Sequence, residues 1–234
     1  MTAVQIAPRV WRIPTAPYDL VNSFLFEAED GSLTLVDAGT RLAPKTVLAA
    51  LDGLGRSRQD VTHLLMSHAH LDHAGGAAAV KAATGSQVWS HEREAVYLRE
   101  GRMPRPDAST RSGRLLARLP AGGFAKIDVE DTFVDGAVLP VAGGLTVVHT
   151  PGHTPGHCSF LHAPSGVLVT GDALFNVRGL WYSFKAPCTD VRLSRTSAAR
   201  LGELDFSVAG FTHGTHVSTG AQQAVRAFLA GRPS

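Results

Sequence analysis

The sequence predicts an α/β protein whose two packed sheets carry helices on both outer faces. Short β-type runs that end in turn residues recur in both halves of the chain, and stretches of helical periodicity flank each group of runs. No repeat, low-complexity tract or Pro/Ser-rich linker divides the 234 residues. We therefore expect a single domain over residues 1–234.

The first half of the chain begins with β-type runs broken by turn residues, which predict strands connected by hairpins. The apolar positions of residues 44–54 are spaced as on one face of a helix, and Gly53 and Gly55 end that run. The predicted strands cover residues 10–13, 21–27, 33–36, 61–66 and 88–90, and the predicted helices cover residues 44–54 and 77–83.

Residues 91–118 are polar and rich in arginine, with Pro104 and Pro106 between two short helical stretches. This composition predicts a helical and looped insertion over about residues 91–126 that lies outside the core. We interpret its arginines as a solvated face, the alternatives being a lid or a surface that steers an anionic substrate.

The second half repeats the style of the first. Its predicted strands cover residues 132–134, 145–149, 158–162, 167–170 and 207–211, and its predicted helices cover residues 190–204 and 219–229.

Composition narrows the function classes. The 22 basic and 20 acidic residues give a net charge of +2, so a nucleic-acid partner is not expected. The only cysteines, Cys158 and Cys188, exclude a disulfide framework and favour a reducing compartment. No window approaches the roughly 18 apolar residues of a membrane span. We expect a cytoplasmic protein without a membrane partner that acts on a small-molecule substrate, and the oligomeric state stays open.

The densest signal is a run of metal-ligand residue types between a predicted strand and a predicted helix. His68, His70, Asp72 and His73 lie within six residues. In an extended turn His68 and His70 project to the same side, whereas Asp72 and His73 start the helix and point to a neighbouring position. Four ligands on so short a loop cannot close on one tetrahedral ion without strain, so the spacing predicts two metal ions.

Three more ligand types each follow a β-type run, so they can meet the histidine loop at one edge of the sheets. They are His153 after Thr-Pro-Gly, Asp172 in Gly-Asp, and His213 in Thr-His-Gly. Asp172 is free to bridge the two ions. His157 could replace His153 as a ligand, although we expect it to form hydrogen bonds instead.

The order and spacing of these motifs resemble those of the metallo-β-lactamase-fold hydrolases from about Val10 to His213. The resemblance implies a four-layer αβ/βα sandwich of mixed sheets with the site at one sheet edge. It also implies that Asp37, at the end of its strand, lies behind the metal loop. The resemblance further implies that His68, His70 and His153 hold the first metal and that Asp72, His73 and His213 hold the second. Asp172 would bridge the two metals.

Within that superfamily the resemblance points to the glyoxalase II and lactonase-like branch. Asp172 stands where zinc β-lactamases with a cysteine ligand carry that cysteine, so the chain differs from them. Phe175 occupies the place where acyl-homoserine lactonases have a tyrosine, which leaves that particular substrate open.

The expected activity is that of a dinuclear metal-dependent hydrolase, whose metal-bridging hydroxide cleaves an ester-like bond such as a lactone or thioester. Asp72 would be catalytic, orienting the hydroxide and passing its proton to the leaving group. The alternatives are a phosphodiesterase, a β-lactamase-like amide hydrolase, or a catalytically idle metal-stabilised module. The cofactors would be two divalent ions, with zinc favoured and Mn, Fe, Co or Ni also acceptable.

Substrate contacts are expected from loops beside the metals, where aromatic side chains suggest an apolar pocket. The candidates are Tyr18, Trp181, Tyr182, Phe184 and His216. Each aromatic side chain could equally anchor its loop to the core, and His216 could be an exposed loop histidine.

Overall fold

Two β-sheets packed face to face form the centre of the molecule. The computed structural model describes residues 2–119 and 122–231. Residues 120 and 121 of the predicted insertion, and residues 1 and 232–234 of the predicted domain, lie outside the described part. That residues 1–234 form a single domain stays a prediction.

The first sheet has seven strands in chain order, antiparallel from β1 to β4 and parallel from β4 to β7. Its strands are β1 (Val4–Ala7), β2 (Val10–Pro14), β3 (Asn22–Glu27), β4 (Leu33–Val36), β5 (Val61–Met66), β6 (Gln87–His91) and β7 (Asp131–Phe133).

The second sheet has five strands, and β12 with β13 forms a separate hairpin. These strands are β8 (Val138–Leu139), β9 (Leu145–His149), β10 (Cys158–His162), β11 (Val167–Val169), β12 (Leu174–Asn176), β13 (Leu180–Tyr182) and β14 (Val208–Gly210). The order in the sheet is β14-β11-β10-β9-β8, with only the β11–β14 pair parallel.

Helices cover the outer faces of both sheets. They are α1 (Pro44–Gly53), α2 (Leu71–Ala74), α3 (Ala77–Thr84), α4 (Glu92–Glu100), α5 (Arg111–Leu116), α6 (Val191–Ala198) and α7 (Ala221–Gly231). No helix among the described residues is both long and apolar enough to cross a membrane.

Side chains alternate between layers because successive residues of a strand face opposite sides. Leu64 of β5 packs beneath the helices of the first sheet, whereas Leu65 joins Phe160 of β10 between the two sheets. Leu168 of β11 faces the other way, toward Val225 of α7. The predicted four-layer α/β sandwich is confirmed.

Two of the predicted elements need correction. Residues 91–126 are not all outside the core, since Ala95 and Leu98 of α4 are buried in the cluster under the first sheet. The helix predicted over residues 190–204 ends at Ala198 and continues as the 3-10 turn Ala199–Glu203.

Candidate metal centre

The candidate ligands come from loops that follow strands, and these loops meet at one edge of the sandwich. The histidine loop follows β5, the His153 loop follows β9, and the Asp172 and His213 turns follow β11 and β14. A hydrogen bond of 3.0 Å from the N–H of Cys158 to the carbonyl of Ser67 joins the two sheets at this edge.

The first group of ligand atoms belongs to His68, His70 and His153. One ligand atom from each lies within 4.8 Å of the others, and all three side chains are buried. The Nε2 atoms of His68 and His153 are buried without a hydrogen-bond partner. Buried lone pairs without a partner are costly, and a cation among them would satisfy them. The donor set therefore fits a divalent ion.

The second group belongs to Asp72, His73 and His213, whose ligand atoms also lie within 4.8 Å of one another. The Nε2 atoms of His73 and His213 are 3.3 Å apart. Oδ2 of Asp72 lies 3.4 Å from Nε2 of His213 and 3.8 Å from Nε2 of His73. The side chain of Asp72 is 38% exposed, so this group opens toward solvent.

Asp172 lies between the two groups and turns one oxygen to each. Its Oδ2 lies 3.1 Å from Nε2 of His153 and 3.9 Å from Nε2 of His68. Its Oδ1 lies 3.2 Å from Nε2 of His73 and 3.3 Å from Nε2 of His213. A single carboxylate can therefore contact ions held by both groups.

Hydrogen bonds fix Asp172 in this orientation. Thr212 donates its hydroxyl to Oδ1 at 2.8 Å. The N–H of Asp172 donates to Nε2 of His157 at 2.7 Å, while Nδ1 of His157 pairs with Thr150. His157 is thus a buried hydrogen-bonding residue, as expected, and belongs to none of the ligand groups.

Four of the candidate ligand histidines are held from behind through Nδ1, which leaves Nε2 facing inward. Such contacts set the tautomer and the ring orientation. The partners are Ser67 Oγ for His68 at 2.9 Å, Asp37 Oδ2 for His73 at 2.9 Å, Ser183 Oγ for His153 at 3.2 Å, and the Leu20 carbonyl for His213.

Burial and mutual charge set the protonation of the cluster. Burial, together with neighbouring histidines, holds the pKa values of His68 and His70 well below the ordinary value. Burial would lower the pKa of His153, but the Asp172 carboxylate outweighs it and raises that pKa to about 9. Burial would raise the pKa of Asp172, but the surrounding histidines hold it well below the usual range. Asp172 therefore stays ionised, and His68 and His70 keep neutral rings with free lone pairs.

Glu94 is a buried residue of the site that the sequence analysis missed. Its Oε2 accepts the N–H of Ala69 at 2.8 Å, and its Oε1 accepts the N–H of Gly156 at 2.7 Å. One carboxylate thereby joins the histidine loop to the His153 loop. Burial raises the pKa of Glu94 to about 7. An acidic residue in the first turn of a helix is ordinarily an exposed charge, so no local signal marked it.

Cys188 is buried, as expected, yet it lies against a candidate ligand. Its Sγ is 3.6 Å from Nδ1 of His153 and 3.4 Å from Oγ of Ser183. It packs behind the first group and belongs to neither the first nor the second group of ligand atoms.

The aromatic candidates divide according to the face of the β12–β13 hairpin. Phe175 lies with its ring 4.4 Å from that of His213 and 5.6 Å from that of Phe184. Trp181 pairs with Phe175 across the hairpin. Phe175, Trp181 and Phe184 line a pocket of about 540 Å³. Tyr182 also borders this pocket, but its ring packs 5.0 Å from that of Phe228 in the outer core.

Tyr18 and His216 occupy the loops beside His213. Tyr18 is 95% exposed. Burial and the Arg12 charge lower the pKa of His216, which faces Arg12 and Asp19. That either residue contacts substrate stays a prediction.

Comparison with known proteins agrees with this arrangement. Residues 16–218 match the sequence profile of the metallo-beta-lactamase superfamily. The chain is 32% identical over 173 residues to the uncharacterized protein YobT of Bacillus subtilis, covering 73% of this chain and 69% of that protein. It is 30% identical over 171 residues to the hydroxyacylglutathione hydrolase GloC of Haemophilus influenzae, covering 71% and 74%.

A solved structure extends the likeness to the whole fold. A metallo-beta-lactamase family protein from Thermus thermophilus has a TM-score of 0.69 and 30% identity, covering 97% of this chain and 80% of that one. The chain therefore belongs to the metallo-beta-lactamase superfamily. It is a metal-dependent hydrolase, so the predicted family and enzyme class are confirmed.

Proposed function

We propose that the two ligand groups hold two divalent ions, with zinc favoured for their imidazole and carboxylate donors. The first ion would belong to His68, His70 and His153, the second to Asp72, His73 and His213, with Asp172 contacting both. The observation that carries this proposal is the placement of the two Asp172 oxygens, one toward each group.

We propose further that the reaction is hydrolysis of an ester-like bond in a small molecule, a thioester or a lactone. When bound, such ions supply a water activated at neutral pH and polarise a carbonyl oxygen. A relative named as a hydroxyacylglutathione hydrolase supports an acyl substrate. The aromatic pocket beside His213 supports a partly apolar one.

Asp72 is the residue to which we assign proton transfer. It is more exposed than Asp172, with 38% against 5% of the side chain accessible, so it can reach both water and a departing group. Its carboxylate faces Nε2 of His213 and, beside its role in holding the second ion, would accept a proton from the attacking water and return it to the leaving group. The free thiols of Cys158 and Cys188 favour a cytoplasmic setting for this chemistry.

The test is the initial hydrolysis rate of zinc-reconstituted protein on matched thioester, lactone, β-lactam and phosphodiester substrates. Asp172→Ala is the site variant, and Asp52→Ala, at an exposed position of α1, is the matched control. We expect thioester or lactone hydrolysis to fall about 100-fold or more in Asp172→Ala, because even residues behind a metal ligand change activity 10–100-fold. The zinc content should fall as well.

Activity confined to the β-lactam or the phosphodiester would contradict the proposed bond class. Equal rates and equal zinc content in wild type and Asp172→Ala would contradict the assigned site.

A further inference from the structure

A second apolar pocket, of about 490 Å³, opens beside His70. Its walls come from Leu71, Met103, Leu116 and Gly122, so the predicted insertion provides most of them. Of its described lining residues only His70 and Arg105 carry polar side chains. Small-molecule sites have this character, with roughly 300–1,000 Å³ of mostly apolar volume and few polar groups.

Two of the leucines that line this pocket expose apolar surface to water. Leu71 is 38% and Leu119 is 60% exposed, and both border the same pocket. Contiguous exposed apolar surface on a protein commonly marks a binding site. No acidic side chain is among the described lining residues, so a cationic ligand has no counter-charge there.

The pocket is continuous with the metal centre through His70, which lines the pocket and belongs to the first ligand group. Leu71 follows it directly and starts α2, on which Asp72 lies. A molecule whose reacting bond lies at the ligand groups would therefore extend one end into this pocket.

The position of Asp72 indicates which end that is. Asp72 belongs to the second group, with His213, beside the pocket of Phe175 and Phe184. If Asp72 returns its proton to the leaving group, the leaving group lies on that side. The acyl portion then lies on the His70 side.

We propose that the pocket beside His70 binds the acyl chain of the substrate, and that the substrates are thioesters or esters of medium-length apolar acids. This inference rests on the proposed hydrolytic function and deepens it by naming the acyl group. A short polar hydroxyacyl group would leave the leucine surfaces of this pocket in water.

Gly122 is the position at which this pocket can be narrowed. A Cβ at Gly122 would lie 2.7 Å from Cδ1 of Leu71 and 3.1 Å from Cε of Met103, both at the far ends of flexible side chains. The φ angle of Gly122 lies outside the left-handed region, so this angle does not require glycine. A valine there would occupy space that the acyl chain needs.

Two leucines on α5 supply a matched pair of variants. Leu116 lines the pocket, whereas its neighbour Leu115 is 66% exposed and does not. Leu116→Gln and Leu115→Gln make the same chemical change, one inside the pocket and one outside it.

The experiment compares kcat/KM of the zinc-loaded enzyme for acetyl and octanoyl thioesters of N-acetylcysteamine. In wild type we expect kcat/KM to rise by about fourfold for each methylene buried. In Gly122→Val and Leu116→Gln the octanoyl value should fall tenfold or more while the acetyl value stays within twofold. Leu115→Gln should leave both values unchanged.

Calorimetry with octanoate and acetate measures the affinity of the same proteins for the two acids. It tests acyl-chain binding in the pocket independently of hydrolysis. We expect octanoate to bind wild type at least tenfold more tightly than acetate, and Gly122→Val to remove that preference. Equal binding of the two acids, or an unchanged preference in Gly122→Val, overturns the inference. If no thioester is hydrolysed while the octanoate preference persists, the proposed function fails and the pocket assignment stands.

Discussion

Oδ2 of Asp37 lies 2.9 Å from Nδ1 of His73, although 36 residues separate them in the chain. The contact arises because β4 and β5 are parallel neighbours, so the residues that follow them leave the sheet side by side. The same carboxylate accepts the N–H of Ser67 at 2.8 Å and its hydroxyl at 2.6 Å. Asp37 thus supports both ends of the histidine loop from behind.

Asp37→Asn should weaken metal binding at the second ligand group by about 10–100-fold, the usual effect of losing a partner behind a ligand. Asparagine keeps the φ of +59° that Asp37 adopts, because it tolerates the left-handed region as aspartate does. Asp37 accepts from three donors, however, and the amide nitrogen of asparagine would face one or two of them in either orientation. Zinc titration against a chromophoric chelator measures the effect, with exposed Asp52→Asn as control. Unchanged affinity at both sites would refute this role.

Glu94→Gln should lower the free energy of unfolding by about 1–3 kcal/mol, because an amide cannot accept both loop N–H groups and one is left unpaired and buried. Urea denaturation measures the change. Glu92→Gln, an exposed change on the same helix, should shift the unfolding free energy by less than about 0.5 kcal/mol. Equal effects of the two variants would show that the Glu94 carboxylate does not hold the loops together.

Stability should fall as the pH decreases from about 6.5 to 4, in part because of His91. Burial, then the charges of His149 and Arg93, lower the pKa of His91 to about 4, against a weaker opposing effect of Asp135. Between the two pKa values the unfolded state binds more protons than the folded state, so acid favours unfolding by up to about 1.4 kcal/mol per pH unit.

His91→Asn should flatten this dependence while keeping an acceptor for the N–H of Arg93 at the start of α4. The measurement is the urea midpoint of both proteins from pH 7 to pH 4. Parallel curves would mean that His91 does not titrate in the expected range.

Sequence patterns predicted the elements that are marked by an apolar run within one short stretch of the chain. Strand β5 has the predicted bounds, because a short apolar run followed by ligand residue types is visible in one window. Strands β1, β8, β12 and β13 were not predicted, since each forms by antiparallel pairing with a single neighbouring strand and no distinct apolar run marks it.

The residues around the candidate ligands were harder to predict than the meeting of the candidate ligands at one edge. The family resemblance implied that Asp37 lies behind the metal loop, whereas Glu94 acts through residues 25 and 62 positions away. Cys188 reaches His153 across 35 positions. Such contacts follow from tertiary packing and leave no periodicity in the chain.

Gly152 is the position at which a single added methyl group should disrupt the first ligand group. Its φ is +118°, and a Cβ there would lie 2.0 Å from the backbone nitrogen of Ser194, at α6. The position of this Cβ is fixed by the backbone of residue 152, and the atom it meets belongs to the backbone of Ser194. No side-chain rotation can therefore relieve the contact. His153 follows directly, and its ring would move with the loop.

A substitution at Gly143 is the control for backbone strain without a steric clash. Its φ is +81°, also left-handed, but a Cβ there would meet nothing within 4 Å. Gly143→Ala should therefore lower the free energy of unfolding by about 1–2 kcal/mol, the cost of a left-handed residue with a side chain. Gly152→Ala should lower it further and also release zinc from the group of His68, His70 and His153. Thermal unfolding and zinc content of both variants measure the difference. If the two alanine variants lose equal stability and keep equal zinc, the packing of Gly152 against α6 does not position His153.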